Sequence, residues 1–190
     1  VSAYDIFKDK YGENSSMLAP TLSRISEISL SLGDAENADK AISKAIELCV
    51  QKFGEDNYIH AQLLVTKAKC QGGLRNFKSA VEIGKKAVTL LTNIYGNGSS
   101  LVASANCLTA NLGDLSGDVD STYYYAKAAY ETISSIYGDE SSQCGKALRI
   151  MINCEIKRGN ISEASNMVNN LRQLYKKVYG EKHPAYLTSL

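Results

Sequence analysis

The side chains best suited to chemistry in this 190-residue chain are few and scattered. There are two histidines, His60 and His183, and five cysteines, Cys49, Cys70, Cys107, Cys144 and Cys154. No cysteine pair has the two-residue spacing of a zinc or thiol-redox motif, and His60 has no Cys or Asp at a useful spacing. Gly96-Asn97-Gly98 is a fragment of a glycine fingerprint, but it follows a helical segment rather than a strand. No Lys-Ser/Thr phosphate loop occurs. No catalytic, cofactor-binding or metal-binding residue is therefore expected, and the chain reads as a non-enzyme. What remains is binding chemistry. Asn111 and Asn153 offer both a donor and an acceptor to a peptide backbone. Lys146, Arg149 and Lys157 are three cations able to hold an acidic side chain or a terminal carboxylate.

These residues belong to a periodic frame. Tyr11-Gly12, Phe53-Gly54, Tyr95-Gly96, Tyr137-Gly138 and Tyr179-Gly180 recur every 42 residues without insertion or deletion. Three more columns run in phase: Gly33-Asp34, Arg75-Asn76, Gly117-Asp118 and Gly159-Asn160; Ala38, Ala80, Thr122 and Ala164; Ala45, Ala87, Ala129 and Leu171. Self-similarity at such a period marks a repeat architecture. The boundaries expected are the end of a preceding repeat at 1–12, full repeats at 13–54, 55–96, 97–138 and 139–180, and the start of another at 181–190.

Each repeat reads as two helices. A polar link rich in N-cap residues follows the aromatic-Gly pair. A first helix then carries an apolar pattern such as Leu18, Leu22, Ile25, Ile28 and Leu32. The Gly-Asp type turn follows, with Gly suited to a helix C-cap. The second helix shows Ala38, Ala41, Ile42, Ala45, Ile46 and Cys49, the spacing of a buried stripe. Small columns let the two helices approach closely, and larger neighbours such as Leu48 and Leu174 fill the space between pairs. No segment alternates with period two, so the chain is all-α. A single pair cannot bury both faces, which predicts an α-solenoid of stacked antiparallel helix pairs.

The apolar first helix, the Gly-Asp turn and the spaced alanines resemble the tetratricopeptide repeat. The long period, the Tyr-Gly close and the stretch Tyr179-Gly180-Glu181-Lys182-His183-Pro184 look like the kinesin light chain type. Ser15-Ser16, Asn57-Tyr58, Ser99-Ser100 and Ser141-Ser142 stand where that type has His-Pro. The resemblance implies a right-handed superhelix whose concave face, lined by the first helices, takes a peptide segment or a partner helix. Carried over by column, it places Glu27, Gln62, Lys69, Asn111, Lys146, Arg149, Asn153 and Lys157 in a peptide-binding groove. It also implies a non-catalytic scaffold, such as a cargo or adaptor module. The alternative is a regulatory or substrate-recruiting array in a larger enzyme or signalling protein.

Composition bounds the partners. Basic residues number 21 and acidic residues 20, a net charge of +1, which argues against nucleic acid. No apolar run approaches the roughly 18–20 residues of a membrane span. The odd cysteine count among apolar neighbours suits a reducing compartment, so a cytoplasmic location is expected. The ligand expected is a protein or peptide, with an acidic one favoured by the fourth-repeat cations. The chain begins at Val1 without Met and neither end carries a polar cap. An excerpt of a longer array is expected, and end-to-end self-association is a further option.

Two features depart from the frame. Tyr123-Tyr124-Tyr125 follows the third turn, with Tyr125 in a packing column and its two neighbours at polar positions. The third repeat has Asn106 and Thr109 in apolar columns, Thr122 for the packing Ala, and Gly113 inside its first helix. Buried polar groups without partners are costly, so this repeat is either locally weak or uses them for binding.

Overall fold

The computed structural model describes residues 3–13 and 15–188. The chain is all-α over the described residues, in consecutive antiparallel pairs, the architecture of a tetratricopeptide-like α-solenoid. A short α1 (Ala3–Tyr11) precedes a 3-10 turn at Ser16–Leu18 that leads into α2 (Ala19–Ser31). Then come α3 (Ala35–Phe53), α4 (Tyr58–Gly73), α5 (Phe77–Tyr95), α6 (Ser100–Ser116), α7 (Val119–Tyr137), α8 (Ser142–Arg158), α9 (Ile161–Tyr179) and α10 (Pro184–Leu187). The four second helices, α3, α5, α7 and α9, each run 19 residues. At 1.5 Å per residue each is about 28 Å long.

Local chemistry sets the ends. Asn57, Ser99 and Ser141 accept from backbone amides at the starts of α4, α6 and α8 at 2.9, 3.2 and 3.3 Å. Asp34 and Asp118 cap α3 and α7, each accepting at 3.1 Å from the amide three residues on. At the repeat close the backbone enters a region that only glycine occupies readily: Gly138 has φ 83 and ψ 158. The first-to-second-helix turn needs a left-handed residue too. Gly33, Gly117 and Gly159 provide it, and Arg75 is forced there at φ 62.

Contacts divide the chain into two compact units, residues 1–94 and 95–190. In the first, α2 packs on α3 and α4, and α3 on α4. Its core holds Leu18, Leu22, Ala38, Ile42, Ala45, Leu48, Cys49, Leu63 and Cys70. Ser26 and Cys70 meet inside it, Oγ to Sγ at 3.3 Å. In the second unit α6 packs on α7 and α8, α7 on α8, and α9 on α8 and α10. Its core runs from Ala103, Ala110, Ala126 and Ala129 through Ile133, Ala147 and Ile152 to Leu171 and Leu174. The columns Ala38, Ala45, Ala80, Ala87 and Ala129 are fully buried, as close helix approach requires.

One sequence expectation needs correction. Ile28 and Leu32 continue the apolar pattern of α2 but are 52% and 79% exposed. Ile28 lies on α2 and Leu32 is its C-cap residue, and neither belongs to the core that α2 forms with α3 and α4. The aromatics of the Tyr-Gly close are also not core residues: Phe53, Tyr137 and Tyr179 remain 52%, 53% and 41% exposed. They stand at the last helical position, where the chain already turns outward. Tyr179 instead stacks on the His183 ring, with centroids 4.5 Å apart.

Candidate functional site

The eight residues expected to form a groove all stand at exposed positions of first helices. In the first unit, Glu27 of α2 and Gln62 of α4 line one cleft of about 500 Å³ with Pro20, Ser23, Arg24 and Ile59. Arg24 reaches Glu27 at 2.7 Å, so the acidic charge there is already paired. Lys69 lies further along α4 and is exposed. In the second unit, Asn111 of α6 and Lys146, Arg149, Asn153 and Lys157 of α8 are exposed.

The three cations are not equivalent. Lys157 Nζ donates to Asp114 Oδ1 at 2.6 Å and to its backbone carbonyl at 3.2 Å. Asn153 Nδ2 reaches Asp114 Oδ2 at 3.4 Å. Lys157 is thus matched by an acid on α6, and Asn153 is partly engaged by the same carboxylate. Lys146 and Arg149 instead flank Cys107. Burial pushes that thiol above its ordinary value, against an opposing pull from these two cations. Arg149 acts in the same sense on Tyr175, whose hydroxyl is also pushed up by burial. Neither cation forms an ion pair among the described residues. Lys157 is thus the one of the three cations with an ion pair among the described residues. The signal for Asp114 was present in its column, where Leu30, Gly72 and Ile156 are uncharged.

A cluster outside the groove was missed entirely. Glu155 is 4% exposed, and accepts from Arg158 at 2.9 Å and from Asn160 Nδ2 at 2.6 Å. Arg158 also donates to Asp120 at 2.6 Å and lies 4.5 Å from the Tyr123 ring centre. Burial raises the Tyr123 hydroxyl, with Glu155 adding to the rise and Arg158 opposing it. Tyr123 is thus held by the α8 end and packs on the core, while Tyr124 stays 67% exposed. The matching cluster in the first unit is Gln71, which donates to Asp39 at 2.7 Å and accepts from Asn76 at 3.1 Å. Lys67 Nζ lies 2.8 Å from Asp39 and donates to Ser43 at 2.7 Å. Both clusters tie the end of a first helix to the start of a second, a structural use of charge.

The histidines have comparable tasks. His60 is 7% exposed and its Nδ1 lies 2.6 Å from the Glu55 carbonyl, which fastens the link before α4. His183 Nδ1 accepts from the Ala185 amide at 3.1 Å and caps α10. No group of three or more metal-binding side chains converges among the described residues. No helix among them is long and apolar enough to cross a membrane.

Compared by sequence, the chain matches no family model and no curated protein. Compared by structure, it matches the nearly identical TPR-like repeats of a Podosopora anserina kinesin light chain. The TM-score is 0.80 at 12% identity, covering 92% of this chain and 82% of that one. A Q17M form of the same repeats gives 0.81 at 12% identity with the same coverage. BtubC (BKLC) from P. vanneervenii gives 0.79 at 17% identity, covering 88% of this chain and 66% of that one. At these identities the likeness is one of fold: the chain shares the TPR-like repeat architecture of these structures.

Proposed function

We propose that the chain is a protein-interaction module, a non-catalytic scaffold that docks a peptide segment or partner helix on the exposed faces of its first helices. Stacked helical repeats present extended concave surfaces for such docking. The observation that carries this reading is the division of labour on α4, α6 and α8. One side of each helix is buried core, and the other presents Gln62, Lys69, Asn111, Lys146 and Arg149 to solvent. Within the second unit, Lys146 and Arg149 favour an acidic residue on the ligand, and the Asn111 amide offers a donor and an acceptor to its backbone. The structural neighbours favour an adaptor module of the kinesin light chain kind.

The test is binding of a defined acidic peptide, such as a fluorescent oligo-glutamate flanked by leucines, to the wild type and to K146E/R149E. Loss of both cations removes two charge-assisted contacts, and affinity is expected to fall at least about tenfold at low salt. Equal affinity of the two proteins sinks the acidic-ligand reading. K157E serves as the contrast: Asp114 already neutralises Lys157, so its effect on binding is expected to be smaller.

A second reading, end-to-end association, is supported by the exposed apolar side chains of Ile28 on α2 and Leu32 at its C-cap. Sedimentation of the wild type and of I28E/L32E tests it. A concentration-dependent rise in mass that the double substitution abolishes supports association, and a single mass at all concentrations removes it.

A further inference from the structure

Asn106 occupies a column that is otherwise leucine: Leu22, Leu64 and Leu148. It is 5% exposed. The other polar residues of its repeat return their hydroxyls to their own helices, Thr109 to the Ala105 carbonyl at 2.9 Å and Thr122 to the Asp118 carbonyl at 2.6 Å. The Asn106 amide bonds no described residue. Yet no side-chain nitrogen or oxygen closed off from solvent lacks a partner among the described residues. The amide therefore looks into open space, and that space is a cleft of about 400 Å³ that Asn106 lines with Asn97, Tyr124, Lys127, Glu131 and Thr132. An amide where leucine fits forgoes apolar burial, and in the open cleft its donor and acceptor face whatever enters.

The same place one repeat later is built differently. There the cleft has Leu148 on its floor and is crossed by an ion pair between Lys177 and Glu140. The corresponding residues around Asn106 are Ser135 and Gly98, so no ion pair crosses the cleft. Nothing stands within 4 Å of where a Gly98 side chain would begin. Thr132 donates to the Asn97 carbonyl at 3.2 Å and holds the link beside the cleft in place. Tyr124 stands at the rim, fixed edge-on against Tyr125 with centroids 5.1 Å apart. Lys127 and Glu131 neutralise one another at 3.8 Å. The cleft thus has an amide floor, an aromatic rim and no net charge.

We propose that this α6–α7 cleft is a second docking site, separate from the first-helix faces, for a short uncharged extended segment of a partner protein. A peptide amide in that segment pairs donor-to-acceptor and acceptor-to-donor with Asn106, and a neighbouring apolar side chain lies on Tyr124. The primary amide of Asn offers both halves of that pairing. The volume is at the small end of the range for ligand pockets, which suits a few residues of extended chain and not a helix.

The experiment selects a display library of random short peptides against the full chain and measures the enriched sequences against N106L, Y124A and K146E/R149E. Asn106→Leu restores the residue of the other repeats, so it is expected to fold and to melt at a higher temperature. It should also weaken binding by about tenfold or more, because its partner amide is left unpaired. Y124A is expected to weaken binding several-fold, and K146E/R149E to leave it unchanged. The Asn106 side-chain amide resonance should shift when the peptide is added. Peptides that bind N106L as tightly as the wild type overturn the proposal, as does a library that yields no Asn106-dependent sequence. Peptides lost only in K146E/R149E assign the ligand to the first-helix face, which overturns this site and leaves the proposed function standing.

Discussion

At the end of α8, Glu155 is buried and held by Arg158 and Asn160; at the same column of α6 stands Gly113, with no side chain at all. Across from it, α9 contributes Ala164 and α7 contributes Thr122. A Cβ on Gly113 would lie 2.4 Å from Thr122 Oγ1 and 3.4 Å from its Cα, so the missing side chain is what admits the threonine. The α8/α9 pair has its own exchange of this kind. Gly145 stands where Ala19, Ala61 and Ala103 do elsewhere, and a Cβ there would meet the Tyr175 ring at 2.6 Å. Two helix pairs with one backbone plan thus fill the same volume by different trades. The fourth repeat ties its turn with a buried carboxylate. The third uses hydroxyls bonded to their own helices and leaves one amide facing a cleft. Of its polar substitutions Asn106, Thr109 and Thr122, Asn106 is the one whose side chain bonds no described residue.

The comparison breaks most visibly at Glu155. Glu155→Ala removes a buried anion and leaves Arg158 and Asn160 half-partnered, at a cost of about 2–3 kcal/mol in chemical denaturation. A loss below about 0.5 kcal/mol would show that the cluster is incidental to stability. Next is Gly113→Ala, expected to cost about 1–2 kcal/mol through overpacking against Thr122. Combined with Thr122→Ala the clash disappears, and the helix gains about 1 kcal/mol from replacing glycine. Additive effects in that double-mutant cycle would refute the proposed pairing of the two positions.

Smaller effects sharpen the contrast between turns. Asp118 caps α7 directly, whereas Asn160 spends its amide on Glu155 and makes no side-chain cap to α9. Asp118→Ala should cost about 1 kcal/mol and speed amide exchange in the first turn of α7. The smallest change expected is a gain. Arg75 holds φ 62 where the second unit has Gly117 and Gly159. Arg75→Gly relieves left-handed strain of about 1–2 kcal/mol, offset in part by the greater entropy of an unfolded glycine. A rise of about 0.5 kcal/mol in stability is expected, and a fall would mean that the arginine side chain contributes contacts of its own.

Much of this molecule is legible from its residues in order. The Tyr-Gly and Gly-Asp columns mark every turn, because helix stops depend on local backbone freedom. The alanine columns identify the buried sides of the second helices, because close approach admits only small side chains. Exposure of Glu27, Gln62, Lys69 and Asn111 follows from the same period. Legibility ends where one column must be matched to another. Lys157 reads as a free cation until Asp114, 43 positions earlier, is found beside it. Tyr123 reads as a surface ring until Arg158 is found over it, and Ile28 and Leu32 read as core although both are exposed.

The chain by itself determined the helices, their ends and their period, all consequences of interactions within a few residues. Only the tertiary structure decided which departures from the repeat answer one another: Gly113 to Thr122, Gly145 to Tyr175, Asp114 to Lys157. It also decided that the Asn106 side chain bonds no other described residue. The physical reason is that packing is a constraint on volume and charge shared by residues tens of positions apart, and a one-dimensional column shows each substitution without showing the partner that compensates it.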